Sequence, residues 1–153
     1  MTAMAVSAQA ASITLESINS GVFQYQLVLA PGDDVVFSLS SQISLTGLAG
    51  VTAISPINIG FTSCGFTGTS ACFAEAFDSQ TFSNPGSDPT AFNLFTITST
   101  AASVGLVDYS AQATSPFSGE VDGPSPAPEP NAGLLTGAGL LGLILFASLI
   151  VKR

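Results

Sequence analysis

The sequence predicts an all-β body, a small antiparallel sandwich or jelly-roll-like ectodomain, followed by a Pro-rich spacer and one C-terminal transmembrane helix. Three observations predict it. Short β-branched and aromatic runs alternate with Gly, Pro, Asn and Asp turns from residue 12 to 112. Residues 123–131 alternate proline with small residues, which favours an extended polyproline conformation and forbids a helix or an inner strand. Residues 132–151 form an uncharged apolar run, AGLLTGAGLLGLILFASLIV, about 30 Å long as a helix and so of bilayer length.

Within the body, residues 13–18 read as the first strand, with Ile13 and Leu15 sharing one face. Residues 22–29 give the clearest alternation, with Phe23, Tyr25, Leu27 and Leu29 on one face and Gln24 and Gln26 on the other. Pro31-Gly32-Asp33 is a turn, since proline presets its first dihedral and glycine tolerates the second. Residues 35–40 place Val35, Phe37 and Leu39 together, and the two runs flanking this turn read as a hairpin. Further strands are expected at 43–48, 51–54, 57–63, 72–77, 91–99 and 104–113. Residues 79–90, with Asn84-Pro85-Gly86 and Asp88-Pro89, form the longest expected loop.

The domain plan is therefore a signal-peptide remnant over 1–11, a β-rich ectodomain over 12–115, an extended linker over 116–127 and a tail over 128–153. The start is apolar and small, and Ala8-Gln9-Ala10 fits the A-x-A pattern of a signal-peptidase site. A positive n-region is missing, which places the true start upstream.

Only 8% of residues are charged, against about 25% in an ordinary soluble domain, and Ser, Thr, Gly, Asn and Gln supply the polar surface. The net charge is −8, and the only cationic residues are Lys152 and Arg153. A body with no Lys, Arg or His lacks the cations that displace phosphate counterions, so nucleic-acid binding is excluded as a function class. The same lack removes the bases that activate a serine or cysteine nucleophile. No catalytic residue is assigned. A carboxylate-dependent glycan hydrolase remains as the alternative, drawing on Glu16, Asp33, Asp34, Glu75, Asp78, Asp88, Asp108, Glu120 and Asp122. The chain offers few aromatic sugar platforms, with two Tyr and no Trp.

Cys64 and Cys72 are the only cysteines, and a turn-rich loop separates them. An even count in an exported chain favours one disulfide, whereas a zinc or redox site lacks the further ligands it needs. Calcium would be sought at Asp33-Asp34 and in the loop from Asp78 to Asp88, but neither has the spaced acidic pattern of a calcium loop. No metal and no cofactor are assigned.

The basic pair after the apolar run places that end in the cytoplasm, and the body on the far side of the membrane. Pro128-Glu129-Pro130, an apolar helix beginning two residues later and the short basic stop Lys152-Arg153 resemble the PEP-CTERM sorting signal. The run from residue 22 to 33 followed by 43–50 is also similar to a strand pattern of PEP-CTERM ectodomains. The resemblance implies an exported cell-surface or extracellular-matrix protein of Gram-negative bacteria, non-enzymatic and associated with exopolysaccharide or biofilm. It implies an exosortase, an integral membrane protease, as the processing partner that recognises Pro128, Glu129 and Pro130. The precursor would be anchored in the inner membrane by its helix and then moved to the cell surface or released. A permanently anchored surface protein is the other outcome for the same tail.

Overall fold

The computed structural model of the chain describes residues 11–127, and they form antiparallel sheets built from β1 (Ala11–Asn19), β2 (Val22–Leu29), β3 (Asp34–Ser38), β4 (Gln42–Thr46), β5 (Val51–Pro56), β6 (Phe61–Thr67), β7 (Ser70–Glu75), β8 (Ser79–Ser83), β9 (Thr90–Ser99), β10 (Ser103–Ala111) and β11 (Phe117–Ser125). One sheet runs β1-β2-β9-β5, a second β11-β10-β4-β7-β6, and β3 and β8 pair by themselves. Their inner faces share one apolar core, which gives a sandwich-like body. Among the described residues no helix is long and apolar enough to cross a membrane.

The alternation of β2 is realised as expected. Phe23, Tyr25, Leu27 and Leu29 are buried, while Gln24 and Gln26 lie on the outer face. Across the core, Phe73 of β7 stacks on Phe95 of β9 with centroids 3.9 Å apart, and Tyr25 tilts against Phe95 at 5.3 Å. A second aromatic group, Phe37, Phe61, Phe82, Phe92 and Phe117, fills the end of the body near the small β3–β8 sheet through mostly edge-to-face contacts.

Several expectations are corrected. Residues 22–29 and 35–40 do not form a hairpin: β2 lies between β1 and β9, and β3 pairs with β8. The turn itself is as expected, since Asp33 N–H donates to the Ala30 carbonyl at 3.2 Å and Gly32 has φ of 80°. That is type II geometry, whose twist does not match that of a tight hairpin. Both edges of β2 are taken, so the chain turns away and joins a different sheet. The strand expected at 35–40 stops at Ser38, where Ser41 N–H closes a turn onto the Ser38 carbonyl and leaves Leu39 exposed. Residues 57–60 are a turn rather than the start of a strand, because Phe61 N–H and Gly60 N–H both donate to Asn58. The strand expected at 72–77 runs from Ser70 to Glu75 and leaves Phe77 exposed.

The expected loop at 79–90 contains β8, held by register with β3 from Asp34↔Ser83 to Ser38↔Ser79. The expected linker at 116–127 supplies β11, paired with β10 along its whole length, so the body reaches Ser125. Val121, Gly123 and Pro124 are buried there. Pro124 is tolerated because β11 is an edge strand with β10 as its one neighbour in the sheet. Ala11, counted with the signal remnant, is the first residue of β1, buried and paired with Leu29.

Candidate functional site

The sequence assigned function to both ends of the chain. Pro128, Glu129 and Pro130, the apolar run 132–151, Lys152 and Arg153, and the cleavage residues Ala8 and Ala10 all lie outside the described residues. The body meets the tail at Ser125. There the Ser103 hydroxyl donates to the Ser125 carbonyl at 2.8 Å, and Ala49 N–H donates to the Pro124 carbonyl at 2.8 Å. Two residues, Pro126 and Ala127, separate this last paired position from Pro128.

The two cysteines form the expected disulfide, with Cα atoms 5.2 Å apart. Its geometry comes from a bulge in β6: Ser63 faces Phe73 and Gly65 faces Cys72, so Cys64 is the extra residue. The bulge re-aims Cys64 toward the strand beside it, and Gly65 accepts the φ of 133° that this bend requires. Cys64 is exposed and Cys72 half-buried, so the bond braces the β6–β7 hairpin from its outer side. Replacing both cysteines by Ser is expected to lower stability by about 2.5 kcal/mol, the chain-entropy value for a separation of 8 residues. Thermal melts with and without reductant check this: the native chain should respond to reductant and the double variant should not.

The body's carboxylates are dispersed. Asp33 and Asp34 lie at the β2–β3 turn, Asp78 between β7 and β8, and Asp88 before β9. Asp108 of β10 stands directly opposite Glu120 of β11, with Asp122 two residues along on the same outer face. All three are exposed. Like charges in direct register weaken a strand pair slightly, and all of them face out from an open sheet surface. Among the described residues no group of three or more His, Cys, Asp or Glu is placed to hold a metal ion.

Glu75 differs from the others because it ends β7 on the inward face, 4% exposed and opposite Phe61. Its Oε1 accepts from Phe77 N–H at 3.2 Å, and its Oε2 is buried without a donor. Burial pushes this carboxyl above its usual range, against the lowering effect of the Phe77 and Ala76 N–H groups. The folded state therefore holds the proton more tightly than the unfolded chain does. Its stabilising protonated form is fully present below the unfolded carboxylate value, about 4.3, and is lost as pH rises through the raised folded value. Glu75→Gln should consequently gain stability relative to the native chain between pH 4 and pH 7. Denaturation at both pH values checks the sign, and a difference independent of pH would refute it.

The sequence reading set Glu75 beside the other acids without distinguishing it. The inward phase of Ala71, Phe73 and Glu75 in β7 is the one signal that distinguishes it. Tyr25 likewise carries a buried hydroxyl without a partner, and burial together with Asp122 pushes its phenol up.

The outer face of the β1-β2-β9-β5 sheet is polar and almost uncharged. Thr14, Gln26 and Asn93 form one cross-strand row, and Gln24, Thr96 and Ser55 another. The Gln26 amide donates to Asn93 Oδ1 at 2.8 Å, and the Gln24 amide donates to the Glu16 carboxylate. Glu16 is bonded at this face, whereas Asp108, Glu120 and Asp122 share the outer face of β10 and β11. In comparisons with known proteins, the chain matches no family model, no curated protein and no solved structure.

Proposed function

We propose that the chain is an exported, non-enzymatic cell-surface or matrix protein, held first by its C-terminal helix, then processed by an exosortase and associated with exopolysaccharide. The observation that carries this reading is the order of three parts in the tail: Pro128-Glu129-Pro130, the apolar run 132–151 and the terminal Lys152-Arg153. The placement of Ser125 as the last paired residue supports it, because the triplet begins three residues later in the sequence. Proteases read extended backbone, and the alternation of proline with small residues favours that conformation.

The nested antiparallel pairs β2–β9, β3–β8 and β4–β7 support the jelly-roll-like reading of the body. The neutral rows of Gln, Asn, Thr and Ser on the first sheet suit hydrogen bonding to hydroxyl-rich glycans, and the disulfide suits an oxidising compartment.

The deciding experiment compares intact mass and cell fraction of the native chain with those of Glu129→Ala in the host. The native protein is expected to lose both the residues before Ala11 and the apolar run, while the variant keeps its tail in the membrane. If both retain Lys152 and Arg153, the tail is a permanent anchor. Incubation with the host's own exopolysaccharide tests the non-enzymatic part: retention of intact polymer supports a binder, and shortening of the polymer supports the carboxylate-dependent hydrolase.

A further inference from the structure

Three turns meet at the corner where β7 ends, and two oxygens buried there have no donor. Glu75 N–H donates to the Ser41 carbonyl at 3.0 Å and Ala76 N–H to the Gly60 carbonyl at 2.7 Å, so the end of β7 is tied to the turns at 38–41 and 58–61. β8 closes the corner from its other side. The Gln80 amide donates to Asn58 Oδ1 at 2.7 Å, an oxygen that also accepts from Gly60 N–H at 2.9 Å. Gln80 lies so close to Gly60 that a Cβ on Gly60 would collide with its Oε1.

With its Nε2 committed to Asn58, Gln80 leaves Oε1 buried without a donor. Glu75 Oε2 is the second such oxygen. Acceptors closed away from water without donors are unfavourable, and a negative charge on one of them is more so. No neighbour compensates. The elements packed here contribute Ser41, Asn58, Gly60, Phe61 and Gln80, none of which titrates, and Asp78, exposed in the turn that follows, adds a like charge. The described residues contain no Lys, Arg or His. A proton on Glu75 removes the charge and converts Oε2 from an acceptor to a donor, and Gln80 Oε1 is the acceptor at the same corner that lacks one.

We infer that the Glu75–Gln80 corner is a proton-operated latch: protonated Glu75 holds the turn at 76–79 against Gly60 and Asn58, and ionised Glu75 lets that turn open while the rest of the sandwich stays folded. Opening is confined to the corner because few bonds hold it. Those from Glu75 to Ser41, Ala76 to Gly60 and Gln80 to Asn58 must break to bring the carboxylate into water, whereas the ladders of β2 with β9 and β4 with β10 remain. Such local opening costs less than unfolding the core. It uncovers Phe61, which is buried in the closed corner, beside Leu39, Ile59 and Phe77, exposed residues of the same three turns. Burial holds the Glu75 carboxyl above its usual range. The latch is therefore closed below the unfolded carboxylate value, about 4.3, and opens as pH rises through the raised folded value.

The test is amide hydrogen exchange on the full chain in neutral detergent micelles at pH 4 and pH 7, with rates corrected for the intrinsic effect of pH. Protection of the Phe61, Glu75 and Ala76 N–H groups is expected to fall by about tenfold or more between the two, with Leu27 and Phe95 in the central strands unchanged. Glu75→Gln carries no titrating group and should stay protected at both pH values, while Asp78→Asn should respond as the native chain does. Equal protection of the native corner at both pH values overturns the latch, as does a response that survives in Glu75→Gln. A loss shared equally by Leu27 and Phe95 also overturns it, because the carboxyl then acts on the whole fold and not on this turn.

Discussion

Phe95→Ala is expected to destabilise the body by about 3–5 kcal/mol, the cost of truncating a buried aromatic whose site collapses only in part. Phe95 is fully buried in β9, stacked on Phe73 from the facing sheet and tilted against Tyr25 from its own sheet. Its ring is therefore a shared contact between the two layers, and no smaller side chain reaches both neighbours. Such a loss is a large part of the roughly 5–15 kcal/mol that holds a domain folded. Chemical denaturation of Phe95→Ala beside Leu106→Ala makes the comparison internal, because Leu106 is 65% exposed and its truncation should cost less than about 1 kcal/mol. Equal losses in the two variants would contradict the placement of Phe95 between the layers.

Asn84→Leu is expected to cost about 3 kcal/mol although it inserts an apolar residue of similar size into a buried position, because several backbone partners lose their hydrogen bonds at once. Asn84 is 1% exposed. Its amide donates to the Leu29 carbonyl at 3.0 Å and the Asp88 carbonyl at 2.9 Å, while its Oδ1 accepts from Gly86 N–H at 3.1 Å and the Thr90 hydroxyl at 3.0 Å. Its main chain exchanges bonds with Gly32 and Asp33. One side chain thus ties the end of β2, the turn before β3 and the start of β9. The control is Asn93→Ala, an exposed amide with a bond to Gln26, expected to change stability by no more than about 0.5 kcal/mol. Hydrogen exchange at Gly32 and Gly86 should accelerate in Asn84→Leu and stay unchanged in Asn93→Ala.

The legibility of each element in the sequence tracks how much of its side-chain pattern is local. β2 was legible because four apolar residues in strict alternation name both a strand and its buried face. β8 was not, since Ser79–Ser83 carries Phe82 as its one apolar residue and takes its shape from the ladder with β3. β11 was read as a linker because the proline alternation that starts at Gly123 argues against an inner strand, and its pairing with β10 overrides that weak propensity. Asn84 looked like a turn residue, which it is, but its partners at Leu29 and Asp33 lie more than fifty residues away in sequence.

By itself the sequence determined the all-β class, the buried face of β2, the presence of a turn at Pro31-Gly32-Asp33, the pairing of two cysteines and the order of residue runs in the tail. These depend on side-chain period, on φ preferences and on composition, all of which act between near neighbours. Only the tertiary structure decided that β2 joins β9 and not β3, that the body continues to Ser125 and that Cys64 is aimed by a bulge. Those outcomes depend on which distant strands close a common core, and the period of one strand carries no label for its partner.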